Sequence, residues 1–284
     1  MMNLLMKNRL AFVGLSIVFC LAAISLLAPW IVLHDPNTQE LSARLIGPSW
    51  QHPFGTDELG RDVFSRLIIG SRVSMRVGVS VVFFSSLIGL FLGGAAGFVG
   101  GRFDILLNVI IINSLLAFPG ILLAIALVAF LGPGLNNIIL ALTVMGWVGY
   151  ARLARGQVLK IKNLDFVEAA RAIGATRSRL FLLHVLPHTV QPLLVQASIG
   201  MAGAILAEAS LSFLGLGITP PTPSWGSMLN AARSHLFDAP HMLVFPAIIL
   251  MTTVLSFNFL GDALRDWLDP KSQGLTSSSN FTQP

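Results

Sequence analysis

Along this chain apolar residues gather into six stretches without a charged side chain: residues 10–33, 77–99, 105–131, 132–151, 189–207 and 242–261. Each approaches or exceeds the roughly 20 residues that an α-helix needs to cross a bilayer. The pattern therefore predicts an all-α membrane protein with six transmembrane helices. The first stretch follows Lys7 and Arg9 as a signal peptide would, but it outruns the usual apolar core of about 7–15 residues and reads as an uncleaved anchor. Gly132-Pro133-Gly134, with Asn136 and Asn137, separates the third and fourth spans as a turn. In the second span Gly89, Gly93 and Gly97 share one helical face, which predicts close packing against a neighbouring helix.

Two polar stretches interrupt the spans. Residues 34–76 open with the turn formers Asp35-Pro36-Asn37 and Gly47-Pro48-Ser49. Their latter half reads as an interfacial helix: Asp57 meets Arg61 and Asp62 meets Arg66 at i,i+4, while Val63, Phe64, Leu67 and Ile68 form an apolar side. The stretch is too short for a substrate-binding domain. Residues 152–187 are densely basic, and a charged, helix-prone loop of this length must project from the membrane. Within it Asp165 is placed to cap a helix from Phe166, with Glu168 reaching back as in a capping box. Gly174 ends that helix, and Thr176 or Ser178 starts a second one that Pro187 hands to the next span. Phe166, Val167, Ala170 and Ile173 form an apolar stripe. It suits either a hydrophobic groove on a soluble partner or the protein's own membrane surface, held by anionic lipid.

Composition narrows the class further. Hydrophobic residues make up 54% and charged residues 11% of the chain, and the mean hydropathy is +0.78, which excludes an ordinary soluble domain. The net charge of +5 belongs beside span ends and anionic lipid, and no basic, aromatic-rich domain offers a nucleic-acid site. With Cys20 alone, neither an internal disulfide nor a cysteine-rich metal site can form. Lys and Arg set the orientation: Lys7, Arg9, Arg102, Arg152, Arg155, Lys160, Lys162, Arg171, Arg177, Arg179, Arg265 and Lys271 on one side, against Arg44, Arg61, Arg66, Arg72, Arg76 and Arg233 on the other. By the positive-inside rule the basic loop and both termini are cytoplasmic.

Glu168-Ala169-Ala170, then Gly174, then His184-Val185-Leu186-Pro187 resembles the EAA loop of ATP-binding-cassette importer permeases. Phe54-Gly55-Thr56-Asp57 with Leu59-Gly60-Arg61-Asp62, Ser212-Phe213-Leu214-Gly215-Leu216-Gly217, Trp225-Gly226, and Gly261-Asp262-Ala263-Leu264-Arg265-Asp266 with Leu268-Asp269-Pro270 are similar to one branch. That branch is the second membrane subunit of dipeptide, oligopeptide and nickel importers. Two departures stand out: His184 replaces an aliphatic residue of the general pattern, and His188 follows Leu-Pro where asparagine is frequent.

The resemblance implies a type I importer permease fold on the bacterial cytoplasmic membrane. Residues 1–33 would be the tail and first anchor, 34–76 an extracytoplasmic linker, 77–264 the permease core with its coupling loop 152–187, and 265–284 a cytoplasmic tail. It implies alternating-access import of di- or oligopeptides, with nickel or a nickel chelate as the alternative cargo. The implied partners are a homologous permease subunit, two cytoplasmic ATPases that use ATP and Mg, and an extracytoplasmic solute-binding protein. Asp165, Phe166, Glu168, Ala169, Ala170, Ile173, Gly174, Leu186 and Pro187 would couple to the ATPase.

This chain itself has no G-x-x-x-x-G-K-[ST] phosphate loop, so no enzyme activity and no cofactor are expected of it. Glu208, an acid inside a span, and Asn113, Ser114, Ser210 and Asn258 are pathway candidates, with helix-to-helix hydrogen bonding as the competing role. His184 and His188 are four apart but Pro187 distorts the helix between them, and His34, His52, His235 and His241 read as surface or interface groups. No metal site is expected. Two rivals lack their signatures: an intramembrane enzyme would need a motif such as H-E-x-x-H or G-x-S-x-G, and an ion-coupled carrier would need several membrane-depth ionisable groups. The Ser-rich tail, 272–284, is expected to be disordered.

Overall fold

The computed structural model describes residues 9–268. Lys7, Lys271, the Asp269-Pro270 end of the terminal motif and the Ser-rich tail lie outside them. Among the described residues there is no β-strand, only one isolated bridge between Thr56 and Asp62. We number the principal helices α1 Arg9–Ile31, α2 Val63–Val99, α3 Gly101–Leu116, α4 Gly120–Leu131, α5 Leu135–Ile161, α6 Asp165–Ala172, α7 Arg177–Phe213, α8 Trp225–Ala232 and α9 His241–Leu268. Helices α1, α2, α5, α7 and α9 are each long and apolar enough to span. The expected third span is broken, because α3 and α4 meet at 83° across Ala117-Phe118-Pro119. Pro119 is the N-cap of α4 and lacks an N–H. Six crossings result if the bent pair counts as one.

Helix α2 is the hub, packing most extensively on α5 and also on α7 and α1. Gly89, Gly93 and Gly97 face α5 as expected: a Cβ on Gly93 would collide with the Ala151 backbone, and one on Gly97 would lie 2.9 Å from the Arg155 carbonyl oxygen. Absent side chains thus let two backbones touch. The core around this seam holds Val77, Val81, Leu142, Tyr150, Ala154 and Ile205.

The two ends of the bundle differ. At one, here the cap end, residues 32–62 and 214–240 interlock. The predicted interfacial helix is instead the first turns of α2, with Val63, Leu67 and Ile68 buried in the core. Of its two expected ion pairs, Asp57–Arg61 forms and Asp62–Arg66 does not. Asp57 binds Arg61 Nε at 2.7 Å and lies 3.5 Å from Arg66 Nε, whereas Asp62 caps α2 by accepting from Ser65 N at 2.8 Å. These groups are buried rather than solvated, because the cap folds over them. Phe54 stacks on Phe245 at 4.0 Å, His241 Nε2 lies 3.0 Å from the Thr56 carbonyl, and Trp225 Nε1 donates to the Leu67 carbonyl at 3.1 Å. At the opposite end, here the loop end, Arg155 grips Asp104 through Nε and Nη2, both at 2.6 Å, and Lys162 Nζ donates to the Gly97 carbonyl at 2.8 Å.

Candidate coupling surface and polar sites

Helix α6 follows the end of α5 after a short turn. Leu164, extended at φ −80° and ψ 150°, is its N-cap and offers no side-chain cap. Asp165 is therefore the first helical residue rather than the cap, and Glu168 does not close a capping box. Both acids sit in the first turn, where they complement the helix dipole, and Glu168 pairs with Arg171 at 2.7 Å on the surface. At the other end Gly174, at φ +87°, donates to the Arg171 carbonyl at 3.0 Å, and Ala175 donates to the Ala170 carbonyl at 3.1 Å. This pair of bonds is a Schellman motif, and its left-handed residue favours glycine.

The apolar stripe of α6 divides. Val167 and Ala170 are buried against Val158, Ile161, Leu180 and Val185, which fixes the helix to its own bundle. Phe166 and Ile173 remain exposed, Ile173 at 88%. Asp165, Glu168, Ala169 and Gly174 are exposed with them. The stripe is therefore not one partner-facing surface: half of it anchors, and the rest forms an outward knob.

Thr176 then caps α7 by accepting from Arg179 N at 3.4 Å, as expected. The second short helix does not stop before the span, because α7 runs on through a wide-turned π segment, Leu180–Val185, into Leu186 and Pro187. Leu186 N reaches back to the Phe181 carbonyl, and the wider ladder ends where Pro187 has no N–H to donate. Leu186 is buried and Pro187 exposed.

Deeper in the bundle Glu208 is fully buried. Ser74 Oγ donates to its Oε2 at 2.9 Å and Ser212 Oγ to its Oε1 at 2.7 Å, so the carboxyl group joins α7 to α2. Asn113 Oδ1 accepts from Arg152 Nη2 at 3.2 Å. Ser210 Oγ donates to the Leu206 carbonyl in its own helix. Ser114 is exposed and Asn258 half-buried. These residues have different partners and do not converge on one site.

One site that does converge was not singled out in the sequence. A cavity of about 380 Å³ between α2, α4, α5 and α7 is lined by Ser85, Ala124, Met145, Tyr150, Gln196 and Gly200. Ser85 and Tyr150 are buried and Gln196 is half-buried. Ser85 Oγ there has no hydrogen-bond partner among the described residues. A second cavity of about 380 Å³ at the cap end brings together Asp57, Glu58, Arg61, Arg66 and Arg233. Both draw residues from distant parts of the chain, and periodicity alone does not reveal such convergence.

Residues 86–274 match the family described as binding-protein-dependent transport system inner membrane component, and residues 1–48 match the N-terminal TM domain of oligopeptide transport permease C. The chain is 46% identical over 269 residues to the glutathione transport system permease protein GsiD of Escherichia coli O1:K1, covering 94% of this chain and 88% of that one. The GsiD protein of Shigella dysenteriae serotype 1 is 45% identical over the same length. In structure, the chain is similar to the MetNI methionine ABC transporter in an inward-facing crystal form. The TM-score is 0.57 at 23% identity, covering 72% of this chain and 97% of that one.

Proposed function

The chain belongs to the binding-protein-dependent transport system inner membrane components and is an ABC importer permease subunit, and from this premise we propose that it carries a small peptide-type solute across the cytoplasmic membrane. The observation that carries the mechanism is the division of α6: Val167 and Ala170 lock it to the bundle while Phe166 and Ile173 stand free. A knob so built transmits force, because a push on Ile173 is borne by the ends of α5 and α7. We assign the loop end to the cytoplasm, where Arg102, Arg152, Arg155, Lys160, Lys162, Arg171, Arg177 and Arg179 gather. Separate ATPase subunits seat on α6, and their ATP-dependent closure biases this chain and a homologous partner between inward and outward openings. A solute-binding protein delivers cargo to the cap end. The peptide class is supported by the relatives named for glutathione, itself a small peptide, and the nickel alternative draws no support from them.

Reconstitution tests this directly. Co-expressed with a homologous permease, ATPase subunits and a solute-binding protein, the tagged chain is expected to purify with the permease and an ATPase, and to drive ATP-dependent uptake of labelled glutathione or dipeptides into proteoliposomes. Transport by the chain alone, driven by an ion gradient, would overturn the assignment. Uptake of nickel but not of peptides would overturn the cargo alone.

A further inference from the structure

Three residues between α1 and α2 meet at the cap end: His34, just beyond α1, His52, within the connecting segment, and Asp62, the N-cap of α2. His52 Nδ1 lies 3.0 Å from Asp62 Oδ1, and His34 Nδ1 lies 3.9 Å from Asp62 Oδ2. The two imidazoles face each other at 4.8 Å between centroids, tilted by 35°. We propose that His34, His52 and Asp62 bind one divalent transition-metal ion of the zinc class, which staples the end of α1 and the connecting segment to the start of α2.

The donor set selects the ion. Two imidazole nitrogens and one carboxylate suit zinc and its neighbours, whereas calcium and magnesium prefer oxygen throughout. The donor atoms lie within 4.8 Å of one another, and zinc with bonds of about 2.0–2.1 Å would draw them to about 3.3 Å apart. That movement falls on His34, whose side chain is 44% exposed while that of Asp62 is 1% exposed. The 3.9 Å separation of His34 from Asp62 is too long for a hydrogen bond, so a carboxylate–imidazole pair accounts for His52 but leaves His34 unexplained. An outer support is already in place: Ser65 N donates to Asp62 Oδ2 at 2.8 Å, and His34 N donates to Ser65 Oγ at 3.1 Å. Such partners hold a ligand in its coordinating orientation. With three protein ligands and His34 at the surface, water fills the fourth position. The ion takes the place of the direct His52–Asp62 contact.

The test is zinc titration of the full-length chain in detergent, stripped with chelator and competed against a chromophoric zinc indicator. One saturable zinc per chain is expected, with a rise in melting temperature on binding. His52→Ala and Asp62→Asn should each weaken it by more than the about 10–100-fold that losing an outer support costs, and His34→Ala should weaken it measurably. His184→Ala/His188→Ala and His235→Ala should leave it intact. The amide introduced by Asp62→Asn keeps an oxygen for the Ser65 N–H, and His34→Ala, which removes an exposed ring, decides the matter if a buried substitution unfolds the chain. No saturable zinc, or the same affinity in a His34→Ala/His52→Ala double variant, would overturn the site.

Discussion

Asp57 anchors the cap with one carboxylate. Its Oδ2 meets Arg61 and Arg66, and its Oδ1 accepts from Leu59 N at 2.9 Å and Arg61 N at 3.0 Å. Because both arginines are buried, removing the carboxylate charge that both contact breaks a buried ion pair, at a cost of about 3–5 kcal/mol. Asp57→Asn is therefore expected to lower the yield of folded protein and its melting temperature in detergent, and a melting curve like that of the wild type would refute the pairing. Glu208 obeys the same arithmetic on a smaller scale. Glu208→Ala strands Ser74 and Ser212, each a buried hydroxyl, and should cost about 1–3 kcal/mol. Glu208→Gln keeps an acceptor oxygen and should cost less. If both variants melt like wild type while uptake fails, the carboxyl group serves the pathway rather than the packing. Glu168 stands at the other extreme, since its bond to Arg171 is solvated and Glu168→Gln should change stability by about 0–1 kcal/mol.

At the scale of the element, one device recurs. Gly174 ends α6 and Gly215 ends α7, each at positive φ and each followed by a residue whose N–H reaches back five positions, Ala175 to Ala170 and Leu216 to Leu211. Gly174→Val forces a β-branched residue into a left-handed conformation. It is expected to leave insertion intact and to cut transport sharply, measured as uptake at matched abundance in vesicles. Gly93→Leu attacks an element seam instead, because its side chain would enter the space that the Ala151 backbone occupies. Overpacking of this kind costs about 1–3 kcal/mol or more, visible as a lower melting temperature in detergent.

The spans are legible because an apolar stretch of about 20 residues has few other uses, and the Gly89, Gly93, Gly97 face because small residues at helical spacing imply contact. Residues 63–68 read as interfacial because an apolar side beside charges looks the same whether a membrane surface or a folded cap covers it. The break in the third span is signalled by Pro119-Gly120, yet unbroken hydropathy conceals it. The cap of α6 falls one residue from its expected place because Asp165 fits both the N-cap and the first turn.

On the scale of the whole molecule, a closely packed seam between α2 and α5 is surrounded by exposed apolar faces. Large apolar side chains such as Phe19, Trp30, Phe118 and Phe130 are exposed, which suits contact with lipid. The knob stands at the loop end, and the account stands or falls on what meets it. Cys20 is the only cysteine in the sequence, so a Cys20→Ser, Ile173→Cys variant carries a single reactive thiol at the exposed tip of α6. Cross-linking that thiol within the co-expressed complex is the most direct measurement. A covalent product with an ATPase subunit, whose formation responds to ATP, is expected. Labelling of the same thiol by a membrane-impermeant reagent from outside intact cells would contradict it.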